Sequence, residues 1–154
     1  MGKTMVILED PEICVSEDLR FYLGMIQGCI GRMASYSCAF KGGCGAFLLA
    51  LLALLQQAEL TVAEVHFSFL AILLSALLFA MIDAYYLSLE RRYRVRYAEV
   101  VDNKRAIELF DMAPPAASHV ERSRVVDALF SCSVGGFYLS LGFLNIGLSV
   151  LLLV

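Results

Sequence analysis

Residues 65–97 read VHFSFLAILLSALLFAMIDAYYLSLERRYRVRY, and the two ends of that stretch suit different solvents. From Val65 to Ile82 there is no Asp, Glu, Lys or Arg. A run of that length is close to the ~20 apolar residues that cross the hydrocarbon of a bilayer. Asp83, Tyr85 and Tyr86 follow, and then Arg91, Arg92, Arg94 and Arg96. No Gly or Pro interrupts the chain from Leu87 to Phe110. The pattern predicts one helix that leaves the membrane and continues to about Leu109, before Pro114-Pro115 stops it.

The rest of the chain supports a membrane setting. Of 154 residues, 60% are hydrophobic, against ~45–50% in a soluble domain. Mean hydropathy is +0.74. Two further stretches are long and apolar, 38–57 and 128–154, and the latter has 27 residues without a charge. All 12 Lys and Arg lie before residue 42 or between residues 91 and 124. The positive-inside rule therefore predicts a cytoplasmic N-terminus, three crossings and an external C-terminus. No secretory signal peptide is expected, because the first apolar run begins late and follows an acidic segment. Trp is absent, so interfacial anchors fall to Tyr and Phe.

The expected fold is an all-α membrane protein assembling as a homo-oligomer. Its parts are a cytoplasmic amphipathic helix within 1–37, transmembrane helices at 38–57, 65–87 and 128–154, and a basic cytoplasmic helical hairpin at 88–127. In the first part, Leu19, Tyr22, Leu23, Ile26, Ile30 and Met33 recur at helical spacing. Gly24, Gly28 and Gly31 form a small-residue face beside them. That helix either packs on its neighbours or forms a subunit contact or gate lever. A second helix is expected from about Ser118 into the third crossing.

Enzymatic chemistry is not expected. There is no phosphate-binding glycine loop, no nucleophile–base pairing and no enclosed carboxylate pair. His66 and His119 fall on opposite sides of the bilayer in this topology. The five cysteines have no C-x-x-C spacing, so they read as small apolar residues, with no metal or cofactor implied.

The arginines allow two readings. They can anchor the helix to anionic head groups, or they can bind phosphates of a nucleotide or oligonucleotide, with Tyr93 and Tyr97 beside them. Arg91, Arg92, Arg94, Arg96, Lys104 and Arg105 form the candidate ligand surface, with Arg20, Arg32 and Lys41 as further contributors. Asp83 lies near the inner end of its crossing, where a charge needs a partner or water. It is either half of an ion pair, with Lys41, Arg32 or Arg91 as candidates, or a pore-mouth residue. Asn145, among the small residues of the last crossing, can hydrogen-bond between helices and is a second candidate for the pore or gate.

Two blocks resemble a known family. Ile26-Gln27, Ile30, Arg32-Met33-Ala34, Ser37 and Lys41-Gly42 form one. Asp83-Ala84-Tyr85-Tyr86-Leu87, Glu90-Arg91 and Tyr93-Arg94 form the other, and Phe110-Asp111-Met112 follows. Together they resemble small bacterial membrane effectors of antiphage defence, such as the channel effectors of the Hailong system. Gly43 stands where that family usually has an aromatic residue. The resemblance implies a homotetrameric ion channel in the bacterial inner membrane. It also implies a single-stranded DNA oligomer, made by a nucleotidyltransferase encoded nearby, as the gating ligand. Depolarisation of the host membrane is then the expected outcome. A non-conducting anchor that recruits a soluble partner is the alternative.

Overall fold

A computed structural model of the chain describes residues 17–57, 61–102, 110–116 and 124–153. These residues form helices, turns and one strap, with no strand among them. Helix α1 spans Glu17–Gln57, α2 Val62–Val101, α3 Val125–Leu129 and α4 Gly135–Leu153.

Helices α1 and α2 form a long antiparallel hairpin. Tyr22 and Ile26 near the start of α1 pack with Tyr93, Tyr97 and Val100 near the end of α2. Cys44 and Leu48 pack with Phe69 and Ile72 at the other end. At 1.5 Å per residue each helix is roughly 60 Å long, about twice the hydrocarbon thickness of a bilayer. Both are long and apolar enough to cross a membrane. Their apolar side chains mostly face outward: Leu49 is 69% exposed and Leu78 67%. A core helix of a soluble protein would bury such residues. Helices α3 and α4 lie along α2, and Ala128, Val134 and Tyr138 complete the core with Ala76, Ala80 and Ala84.

Several boundaries differ from the expectation. The amphipathic stretch and the first apolar run are one uninterrupted helix, with no break near residue 37. Gly42 and Gly43 weaken a helix locally, but packing against α2 carries α1 through them. Helix α2 starts at a capping box, where Thr61 and Glu64 bond to each other's backbone N–H. It ends at Val101, earlier than Leu109, with Asp102 as its C-cap. Asp102-Asn103 are residue types that favour caps over helix interiors. Phe110 adopts a left-handed conformation, φ 68°. Residues 111–116 then form a strap without regular secondary structure around the expected Pro114-Pro115 stop. The expected helix start at Ser118 lies outside the described residues.

The apolar run 128–154 is also not one helix. Helix α3 closes at Leu129, and a turn intervenes in which the Gly135 N–H bonds the Ser131 carbonyl at 2.8 Å. Ser131 Oγ accepts the Val134 N–H at 3.3 Å. A β-carbon on Gly135 would lie 2.9 Å from the Leu129 carbonyl oxygen. This close approach requires glycine at the start of α4.

Candidate functional site

The basic end is built around the strap. A segment outside helix and sheet leaves its carbonyls without backbone partners, so side chains must supply donors. Tyr22, fully buried on α1, donates to the Asp111 carbonyl at 2.6 Å. Burial pushes its phenol above the ordinary tyrosine range; the Arg96 guanidinium opposes that rise and the Asp111 carboxylate adds to it. The hydroxyl therefore stays protonated as a donor. Tyr93 donates to the Met112 carbonyl at 3.3 Å. Arg92 Nε donates to the Pro115 carbonyl at 2.7 Å, with the Pro114 carbonyl 3.5 Å from Nη2. Arg96 Nη2 donates to Asp111 Oδ2 at 2.6 Å and to the Ala113 carbonyl at 3.1 Å. Phe110 closes the corner against the rings of Phe21 and Tyr22, at 6.2 and 5.9 Å.

The expected ligand residues therefore divide. Arg92 and Arg96 are committed to the strap. Arg94 is 64% exposed and reaches Glu90, four residues before it, at 2.5 Å. Arg91 is half-buried, whereas Arg20 and Arg32 are exposed, and Arg32 Nη2 touches Cys29 Sγ at 3.1 Å. Lys104 and Arg105 lie outside the described residues. The strap partners Tyr22 and Asp111 are not among the site residues that the sequence points to. The signal for them is Pro114-Pro115, whose carbonyls sit in a segment that cannot form a helical ladder.

A second cluster lies deeper along the hairpin. Asp83 is fully buried, with Lys41 Nζ 2.6 Å from its Oδ2. That contact is an ion pair by proximity; the ammonium is not aligned on Oδ2 as a hydrogen bond. Ser37 donates a short hydrogen bond to Asp83 Oδ1 and accepts one from Lys41 at 2.9 Å. The Ser37 and Lys41 of the first sequence block thus meet the Asp83 of the second. Lys41 is the ion-pair partner, and Asp83 is buried between α1 and α2 rather than on an open face. Tyr138 of α4 brings a buried hydroxyl that has no hydrogen-bond partner among the described residues. Phe40 stacks on Tyr86 at 5.4 Å and Tyr36 lies 5.2 Å from the same ring, forming an aromatic collar beside these charges. Asn145 is half-buried on α4, about two turns beyond Tyr138.

Further along, α2 and α4 leave an outward-facing groove of about 500 Å³, lined by residues such as Leu73, Leu77, Val134, Phe143 and Ile146. No group of three or more His, Cys, Asp or Glu among the described residues is placed to hold a metal. Compared with known proteins, the chain matches no family model, no curated protein and no solved structure.

Proposed function

We propose that this protein is an oligomeric membrane effector that conducts ions and is gated at its basic end by the phosphates of a nucleotide or single-stranded DNA oligomer. The observation that carries the reading is the division along α1 and α2. One end is apolar with its side chains turned outward, as lipid contact requires; the other ends in tyrosines and arginines. The uncharged α4, 19 residues long, makes a third crossing. The basic end is cytoplasmic by the positive-inside rule, in a bacterial inner membrane.

Among the described residues, the space between the helices of one subunit is filled by Cys44, Leu48, Ile72, Ala76, Val134 and Tyr138. Conduction therefore needs several copies around an axis. Helix α1 supports this with an exposed face of small residues, Gly24, Gly28, Gly31, Ser35, Ala39, Gly43 and Ala46. Such a face lets a neighbouring helix approach closely in lipid. Four copies, a role in antiphage defence and a nucleotidyltransferase supplying the ligand follow the resemblance of the two sequence blocks. Arg20, Arg32 and Arg94 form the outer phosphate-attracting surface; Asp83, with Lys41, acts as a structural part of the gate.

Reconstitution into planar bilayers tests conduction: discrete currents that a short oligodeoxynucleotide changes are expected. Replacing Arg20, Arg32 and Arg94 by Gln should weaken oligonucleotide binding. It should also flatten the dependence of log affinity on log salt by about 0.7 for each phosphate that is no longer neutralised. One observation favours the rival of a non-conducting anchor: Arg92 and Arg96 are used to shape the strap, as they would be in a scaffold. Silence in the bilayer together with capture of a soluble partner would support the anchor.

A further inference from the structure

The Arg96 side chain is only half used. A guanidinium presents Nε–H and one Nη–H along a single edge, spaced for two oxygens of one phosphate or carboxylate. On Arg96 the Nη2 end of that edge is engaged by Asp111 and the Ala113 carbonyl. The Nε end is buried and has no hydrogen-bond partner among the described residues. Asp111 cannot take both positions, because its Oδ1 is turned back to accept the Ala113 N–H at 3.0 Å. Its carboxylate is divided between the arginine and its own turn.

We propose that the strap at 110–116 is the resting occupant of a phosphate site. Asp111 holds on Arg96 the place that a ligand phosphate takes when it binds, and binding exchanges one anion for the other. A phosphodiester has two non-bridging oxygens that match the Nε–Nη2 edge, so it satisfies the donor that Asp111 leaves unpaired. The exchange frees two more donors that now hold strap carbonyls, the Tyr22 hydroxyl and the Arg92 guanidinium. Both face the strap, so its departure uncovers them to the ligand.

The strap is held through side-chain donors, which can turn to another acceptor when it leaves. Phe110 begins it in a left-handed conformation that a bulky side chain rarely adopts. Asp111 is 41% exposed, so its ion pair with Arg96 is partly screened by water. Pro114 and Pro115 have no N–H with which to hold the segment. The inference rests on the phosphate-gated reading above and adds its device: the basic end is latched by its own carboxylate. Ligand affinity is then lowered by the fraction of molecules whose latch is closed.

Hydrogen exchange on the full-length protein in lipid nanodiscs tests this, using two probes, a hexadeoxyadenylate and inorganic triphosphate. Binding is followed by anisotropy of labelled hexadeoxyadenylate, with triphosphate as competitor. Either probe should speed exchange in 110–116 of the wild-type protein, read at the Ala113 amide, the strap N–H that bonds Asp111 Oδ1 while the latch is closed. Asp111→Asn should exchange quickly there without ligand, show no further change on binding, and bind the hexadeoxyadenylate roughly threefold tighter. Wild-type binding with exchange at 110–116 unchanged or slowed overturns the latch and leaves the phosphate-gated reading standing. Failure of the wild type to bind either probe removes both. Should Asp111→Asn lose its helical content, the wild-type exchange decides alone, since it needs no variant.

Discussion

The two ends of the α1–α2 hairpin are built from the same pair of helices and held by different forces. At the apolar end the contacts are mainly among small and aliphatic residues, Cys44, Leu48, Ile72, Ala76 and Ala80, with Phe69 and Tyr138 beside them, while many other large side chains look outward. With so many apolar side chains left outward, close fit and dispersion among the inward ones carry the association. At the basic end a strap without regular structure is tied down by Tyr22, Arg92, Tyr93 and Arg96, each donating to its backbone. One end tolerates little change of shape; the other tolerates little loss of donors. The Ser37–Asp83–Lys41 triangle lies between them, where a charge can no longer rely on water.

That triangle should give the largest effect. Asp83→Asn keeps an acceptor for Ser37 but leaves the Lys41 ammonium without its counter-charge in a poorly solvated place. A loss of about 3 kcal/mol is expected, the scale for removing one member of a buried pair. The double variant Lys41→Met with Asp83→Leu should recover most of it, since a matched apolar pair needs no compensation. Thermal unfolding in one detergent compares the three. If Asp83→Asn melts with the wild type, the ion pair holds nothing together.

Next comes a contrast between adjacent glycines at the start of α4. Gly135→Ala places a methyl 2.9 Å from the Leu129 carbonyl oxygen, whereas nothing lies within 4 Å of a β-carbon at Gly136. The first substitution should cost about 1–3 kcal/mol through forced displacement. Gly136→Ala should be neutral or stabilising, because alanine is the better helix former. Equal melting temperatures for the two would mean that the α3–α4 turn yields freely.

That turn also shows where sequence reasoning stops. Hydropathy sums over a window, so 128–154 reads as one apolar helix although Ser131 and Gly135 break it. The signal is local: a serine placed to accept an N–H three residues on, followed by paired glycines. Helical character and the two long apolar helices are legible, because both rest on runs of many residues. For Asp83, the sequence narrows the ion-pair partner to a short set that includes Lys41. The roles of Arg92 and Arg96 are not legible. Charge density says that arginines need acceptors, yet only the folded chain reveals that the acceptors are the carbonyls and carboxylate of a segment some twenty residues away. The end of α2 is misplaced for a related reason, since a search for Gly and Pro overlooks Asp102-Asn103.

A smaller effect separates the donors of the basic end from mere charge. Arg92→Lys keeps the positive charge but not the planar fork that spans the Pro114 and Pro115 carbonyls. It should cost about 1 kcal/mol and speed exchange in 110–116, while the apolar halves of α1 and α2 keep their protection. Uniform loosening of both ends would contradict the division between them.

The smallest expected change is at the opposite tip. Thr61→Ala removes the side chain that accepts the Glu64 N–H and donates to the Glu64 carboxylate at 2.7 Å. The Thr61 side-chain and backbone bonds hold that carboxylate below the ordinary glutamate range. A lowered pKa contributes stability that is present above the unfolded value and lost as pH falls through the folded one. The wild-type cap should therefore weaken on acidification through and below the usual carboxylate range, and Thr61→Ala should lack that part of the pH dependence. Because Glu64 is fully exposed, the difference should be a slight shift in melting temperature near neutrality that narrows in acid, leaving the part due to the Thr61 acceptor. A shift that stays the same in acid would mean that the cap acts through the threonine alone and that the carboxylate adds nothing to the start of α2.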